Sequence, residues 1–147
     1  MAAAPILICY DGSEGAKHAI EAAASLLDGH PAVVLAVGPP LTAEESYASL
    51  GLMPPSFEEL NEEQALERAK EGAEFAQSAG FAAEARAEVA APTWEGVVHV
   101  ADEIDAATIV IGSRGLTGVK EALSGSVSHA VAEHAGRPVL IVPPSRD

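Results

Sequence analysis

Residues 108–115 are Thr-Ile-Val-Ile-Gly-Ser-Arg-Gly, and nine residues separate Gly115 from the sequence Gly125-Ser126-Val127-Ser128. The apolar start of this stretch is typical of a buried strand, and the residues after Ser126 are typical of a helix. Glycines between a strand and a helix let the backbone turn tightly and approach a ligand closely. The first turn of a helix adds N–H donors and the positive end of the helix dipole, which together attract phosphate. The stretch therefore predicts a strand, a glycine loop and a helix N-terminus that hold a nucleotide phosphate.

Short apolar runs alternate with helical patterns along the chain, which is typical of a parallel sheet flanked by helices. The proline-containing segment 38–57 is predicted to be an irregular loop, and the alanines of residues 81–89 suit a helix as well as a strand. We expect one α/β domain over residues 1–147, with an open five-stranded parallel sheet and helices on both faces. The predicted strands are residues 5–10, 32–37, 81–89, 108–111 and 139–142, and the predicted helices are residues 13–27, 58–79, 93–103 and 126–135.

Two segments that are distant in sequence should meet at one edge of this sheet. In parallel α/β sheets, ligands bind beyond the carboxyl ends of the strands, where the strand order reverses. Right-handed crossovers with helices on both faces place the first and fourth strands side by side at that point. Asp11-Gly12-Ser13 follows the first strand and Gly112 follows the fourth, so both segments should line one crevice.

The net charge of the chain limits its expected binding partners, and its cysteine content indicates the cellular compartment. The net charge is −14, with eight Lys and Arg against 22 Asp and Glu, so the chain should repel nucleic acids and anionic membranes. Two of the eight cations, Arg114 and Lys120, lie in the glycine loop, where they suit a phosphate, although for Lys120 pairing with Glu121 or pointing to solvent is the favoured interpretation. The single cysteine, Cys9, lies in an apolar run and is expected to be a buried hydrophobe in a cytoplasmic protein. No membrane span or secretory signal is predicted.

The two loop segments together carry a family resemblance. Tyr10-Asp11-Gly12-Ser13 after the first strand and the spacing G-x2-G-x9-G-[S/T] after the fourth resemble the universal stress protein family. The flanking residues 109–111 and 137–142 are also similar to that family. The resemblance implies the strand order 3-2-1-4-5 of a Rossmann-like, adenine nucleotide α-hydrolase-like fold. It also implies a homodimer joined through the last strand, Val139–Val142, and places the chain in the glycine-motif subgroup that binds ATP or a related adenine nucleotide.

The resemblance assigns roles to individual residues. Asp11 would accept hydrogen bonds from the ribose hydroxyls, and the backbone of Val37 would meet the adenine edge. The glycine loop would line the phosphate path, and the start of the last helix would cradle the phosphates with backbone amides and two serine hydroxyls. The predicted nucleotide site comprises Cys9, Tyr10, Asp11, Val37, Ile111, Gly112, Arg114, Gly115, Gly125, Ser126, Val127 and Ser128.

Some of these residues also have a purely structural interpretation. Asp11 could cap the helix that begins near Ser13, with Glu14 completing a capping box. Ser126 and Ser128 could likewise cap the helix that they begin. For Asp11 both roles could coexist, and the sequence leaves the two interpretations open.

We expect an adenine-nucleotide-binding stress-response or signalling protein that acts through nucleotide-dependent conformation or dimerisation. ATP, ADP, AMP and cyclic AMP all suit the loop, with Mg²⁺ only as a counter-ion of the nucleotide. The alternatives are a slow ATP hydrolase and a ligand-free dimerisation module. No catalytic residue is predicted because the chain has neither a G-x4-G-K-[S/T] loop nor an evident base. No metal site is predicted because the five histidines form no H-x3-H pair and no cluster with cysteine. Residues 39–57 could form a nucleotide-ordered lid, and residues 58–74 are predicted to be a solvated helix face.

Overall fold

The computed structural model describes residues 3–38, 57–113 and 126–144. In chain order the strands and helices alternate, as the sequence predicts. The strands are β1 (Ile6–Cys9), β2 (Ala32–Gly38), β3 (Ala83–Val89), β4 (Thr108–Gly112) and β5 (Val139–Val142), and the helices are α1 (Glu14–Leu26), α2 (Phe57–Ser78), α3 (Thr93–Ile104) and α4 (Ser126–His134). Residues 39–56 of the candidate lid 39–57 lie outside the described part of the chain, and so do residues 114–125 of the glycine loop.

The five strands form one sheet in the order β3-β2-β1-β4-β5, and every neighbouring pair is parallel. This confirms the predicted sheet and its order. Residues 83–89, whose alanines also suited a helix, are a strand that pairs along its whole length with β2. The order places β1 and β4 side by side at the centre, where the chain reverses direction across the sheet.

Side chains of β1 alternate between two helical layers, as the two-residue period of a strand requires. Ile6, Ile8 and Tyr10 pack with α1 and α2 on one face of the sheet. Leu7 and Cys9 pack with α3 and α4 on the other face. β1 is therefore buried on both faces, which explains why its sequence is continuously apolar rather than alternating.

The helix α2 approaches the sheet closely because Gly72 has no side chain. A Cβ atom at Gly72 would lie 2.7 Å from the ring of Tyr10 and 2.8 Å from Val34 Cγ1. This contact fixes the position of α2 over the end of β1. The outward face of α2 is polar, and among the helices in the described ranges none is long and apolar enough to cross a bilayer.

Candidate functional site

The carboxyl edge of the sheet, where all five strands end, brings together the two loop segments. Ile6 pairs with Thr108 and Ile8 pairs with Val110, so continuing this register places Tyr10 opposite Gly112. Asp11 follows directly at the same edge. Since β4 and β5 are parallel, the chain must return from this edge before β5 begins, and α4 (Ser126–His134) lies on that return. The observed topology therefore brings Asp11 and Gly112 to one edge, while the predicted position of the start of α4 at that edge stays a prediction.

A tight turn orients the Asp11 carboxylate. Asp11 Oδ1 accepts a hydrogen bond from the backbone N–H of Ser13 at 2.9 Å, and the intervening Gly12 has φ +85°, a conformation that favours glycine. The N-cap of α1 is Ser13, whose Oγ accepts the backbone N–H of Ala16 at 3.1 Å. The interpretation of Asp11 as the helix cap is therefore wrong, and Glu14 is the first helical residue rather than the partner in a capping box. One Asp11 oxygen holds the turn, and the second can face the crevice.

Tyr10 directs its side chain away from this edge and into the core. It is 1% exposed, and its hydroxyl donates a hydrogen bond to Glu71 Oε2 at 2.5 Å. Burial, together with this bond, raises the pKa of Tyr10 well above its usual range. Only the main chain of Tyr10 is therefore available to a ligand at the edge.

Arg68 and Glu71 of α2 border the site, although sequence analysis placed both in a solvated helix face. A Cβ atom at Gly12 would lie 3.7 Å from Arg68 Nε and 3.8 Å from Glu71 Oε2. A cation and a carboxylate thus lie beside the turn that carries Asp11. No sequence signal separates these two residues from the other charged residues of α2, because their role depends on how the helix lies over β1.

Three more predicted site residues lie at or near strand ends. Ile111 is fully buried, Gly112 is the last residue of β4, and Val37 is the penultimate residue of β2, opposite Glu88 of β3. Cys9 is 2% exposed and packs in the layer under α3 and α4. The side chains of Cys9 and Ile111 are closed to a ligand, so any contact there would be through the main chain.

Of the predicted phosphate-binding segment after Gly112, the structure describes only Ser113 and the residues of α4. Ser126 begins α4, Val127 packs against the core beneath it, and Ser128 is buried at 4% exposure. Arg114, Gly115 and Gly125 lie outside the described residues. Their predicted roles at the phosphates stay predictions.

The universal stress protein family model matches residues 3–143, which is nearly the whole chain. The chain belongs to the universal stress protein family. It is 35% identical to universal stress protein YxiE of Bacillus subtilis, over 93% of this chain and 97% of that relative.

Solved structures agree with this family assignment. The universal stress protein fold of this chain is similar to that of hypothetical protein MJ0577, with a TM-score of 0.73, 25% identity and complete coverage of both chains. A universal stress protein solved in complex with cAMP has a TM-score of 0.68 and 25% identity, over 99% of this chain and 100% of that one. The adenine nucleotide in that complex is a property of that relative.

The buried Cys9 gives this universal stress protein a predictable sensitivity to alkaline pH. Burial, and secondarily the nearby Asp11 charge, raises the pKa of the Cys9 thiol from 9.0 to about 12. Above about pH 9 the unfolded thiol loses its proton while the folded thiol keeps it, so stability is lost as the pH rises towards 12. Cys9 is expected to make the free energy of unfolding fall by up to about 1.4 kcal/mol per pH unit in this range.

Urea unfolding of the wild type and of Cys9→Ala between pH 8 and 11 measures this contribution. Because the substitution also leaves a small cavity, the pH slopes are compared rather than the absolute stabilities. Cys9→Ala should show the shallower slope, with a remaining part from Tyr10, whose raised pKa acts in the same direction. Equal slopes in the two proteins would contradict the prediction.

Proposed function

We propose that this universal stress protein binds an adenine nucleotide of the ATP or AMP type at the carboxyl edge between β1 and β4. The observation that carries the proposal is the position of Asp11 and Gly112 at one edge, at the point where the strand order reverses. Ligands of open parallel sheets bind at such a point. The cAMP complex of a relative with the same fold supports an adenine nucleotide as the ligand.

The charges at this edge support a definite orientation of the nucleotide. Asp11 would be repelled by phosphates, so its carboxylate suits the ribose hydroxyls, as acidic residues do in dinucleotide-binding folds. The phosphates then belong at the start of α4 and in the glycine loop, where backbone N–H groups and the helix dipole favour negative charge. Within this proposal, Arg114 lines the phosphate path and Val37 meets the adenine through its backbone.

The proposed role is a cytoplasmic stress-response or signalling module rather than an enzyme with rapid turnover. Nucleotide occupancy would change the conformation of the protein or its dimerisation, with Mg²⁺ only as a counter-ion. β5 is a sheet edge, and its Ile141 is 39% exposed, which suits a homodimer joined through Val139–Val142. The hydrolase alternative has no observation in its favour among the described residues.

The proposal is tested by replacing Asp11 with asparagine. Asparagine keeps the Oδ1 acceptor that holds the Ser13 turn, so the fold of the edge is preserved while the charge is lost. A hydrogen bond to a charged group contributes about 1.5–3 kcal/mol, so we expect the affinity for nucleotide to fall about tenfold or more. Calorimetric titration with ATP, ADP, AMP and cyclic AMP measures the affinity and ranks the four ligands.

Asp28→Asn is the matched control. Asp28 is an exposed aspartate in the turn after α1, at the opposite edge of the sheet, and its replacement should leave the affinity unchanged. Wild-type affinity in Asp11→Asn would exclude the ribose role of Asp11. Failure of the wild type to bind any of the four nucleotides would exclude the proposed function as a whole.

A further inference from the structure

We propose that Glu88, His99 and Glu103 form a zinc-binding site on the face of the sheet covered by α3. Glu88 comes from the edge strand β3, and His99 and Glu103 lie one turn apart on α3. One ligand atom from each residue can be chosen such that all three lie within 4.8 Å of one another. Glu88 lies opposite Val37 in the β2–β3 register, so the zinc site adjoins the strand end proposed to meet the adenine, but the two sites share no residue.

The distances between the donor atoms are close to those that a zinc ion requires. His99 Nε2 lies 2.7 Å from Glu103 Oε1 and 3.6 Å from Glu88 Oε2. Two donors that are each about 2.1 Å from a tetrahedral zinc ion lie roughly 3.4 Å apart. These two separations bracket this value and the third is within 4.8 Å, so we expect side-chain rotations to bring all three donors to bonding distance.

The donor types favour zinc over the common hard cations. Neutral imidazole nitrogen with carboxylate oxygens is a ligand set found for zinc in proteins. Mg²⁺ and Ca²⁺ bind mainly oxygen ligands and take more of them, so one imidazole and two carboxylates suit them poorly. Three protein ligands leave a further position on zinc for water, and the 59% exposure of the His99 side chain gives water access to it.

Arg86 also contacts this cluster, and its positive charge would lie close to the bound zinc ion. Its Nη2 donates to Glu103 Oε1 at 2.8 Å, the same oxygen that contacts His99. The guanidinium therefore engages only one of the two carboxylate oxygens of Glu103. Bound zinc would replace the contact between His99 and Glu103, while Arg86 would remain as a hydrogen-bond partner of the ligating carboxylate, an arrangement common around protein-bound metals. The positive charge of Arg86 lowers the expected affinity but leaves both glutamates accessible.

Zinc at this site would join β3 to α3 at the edge of the domain. A ligand that binds the folded chain stabilises it in proportion to the logarithm of ligand concentration over its Kd. The melting temperature should therefore rise with added ZnCl₂ and fall back after chelation. The sequence does not predict this site, because its three residues come from two elements and include only one histidine.

The test is calorimetric titration of chelator-treated full-length protein with ZnCl₂, with melting temperature as the second readout. The wild type should bind one equivalent at this site. Removing one ligand should weaken binding at least about tenfold in both His99→Ala and Glu88→Gln. Glu88→Gln keeps the size of the side chain, and its melting temperature without zinc checks that it is folded. MgCl₂ at the same concentration should give no comparable binding.

His18→Ala is the matched control, because His18 has Glu14 and Glu21 on the same helix, α1, but belongs to no three-residue cluster in the described ranges. Its zinc affinity should equal that of the wild type. Wild-type affinity in His99→Ala, loss of binding in His18→Ala, or no zinc binding by the wild type would each overturn the proposal. None of these outcomes depends on whether the protein binds nucleotide.

Discussion

Replacing Gly115 and Gly125 together by alanine is expected to weaken ATP binding about 100-fold. The two glycines belong to the G-x2-G-x9-G-[S/T] spacing, and in the proposed site the backbone would approach the phosphates there without an intervening Cβ. A 100-fold loss corresponds to about 2.7 kcal/mol, which is the size of one or two charge-assisted hydrogen bonds to phosphate. Calorimetric titration with ATP measures the change, and circular dichroism checks that the double variant is folded.

The control for this double variant lies in the same loop. Gly118 falls between Gly115 and Gly125 but outside the glycine spacing, so Gly118→Ala should bind ATP like the wild type. A double variant that retained wild-type affinity would show that the glycine loop is not the phosphate site. Equal losses in Gly118→Ala and the double variant would indicate a general effect on the loop instead.

Arg137→Ala is expected to lower the free energy of unfolding by about 2–3 kcal/mol. The Arg137 guanidinium donates from Nη1 to the Ala106 carbonyl at 2.6 Å and from Nη2 to Asp102 Oδ1 at 2.7 Å. Its side chain is only 16% exposed, so alanine would leave a carbonyl without its charged donor in a site with little room for water. Hydrogen bonds to charged groups each contribute about 1.5–3 kcal/mol, and the two here are partly coupled. Urea unfolding at neutral pH measures the loss.

Arg86→Ala is the comparison variant, because it removes the guanidinium of a more exposed ion pair. The Arg86 side chain is 31% exposed and bonds one carboxylate, that of Glu103, so its loss should lower stability by about 1 kcal/mol or less. Arg137→Lys should recover only part of the stability, because an ammonium group cannot reproduce the two-pronged geometry of the guanidinium. Equal effects of Arg137→Ala and Arg86→Ala would contradict the argument.

The role of Arg137 also explains part of the sequence pattern. Arg137 is the first residue of the segment 137–142, which in the sequence contributes only to the family resemblance. In the structure, this arginine links the end of α3, through Asp102 and Ala106, to the start of β5. This segment therefore stabilises the last crossover of the sheet, and that role requires no contact with a ligand.

The fold could be predicted from the sequence because its signals are local and mutually consistent. Each strand is a short run of apolar or alternating residues, and the helix α2 ends at Ser78, two residues before Gly80, which has φ +112°. The crossover rule then places β1 beside β4. Boundaries differ by a residue or two, as with β2, which continues through Gly38. Such differences are usual at the ends of elements.

The surroundings of the site could not be predicted because they depend on contacts between elements. Which of Asp11 and Ser13 caps α1 is decided by the turn at Gly12, and the sequence alone allows either. The partners of Tyr10 and Gly12 on α2 depend on the close approach at Gly72. The phosphate loop itself, residues 114–125, lies outside the described part of the chain, so its predicted role depends on the glycine spacing and the family membership.

Burial of β1 on both faces has a consequence for how the domain loses structure. Ile6 and Ile8 support one pair of helices while Leu7 and Cys9 support the other pair. Detaching either pair would expose apolar side chains of the strand that anchors the opposite pair. The two helical layers are therefore energetically coupled through a single four-residue strand, and the domain should come apart as one cooperative unit rather than layer by layer.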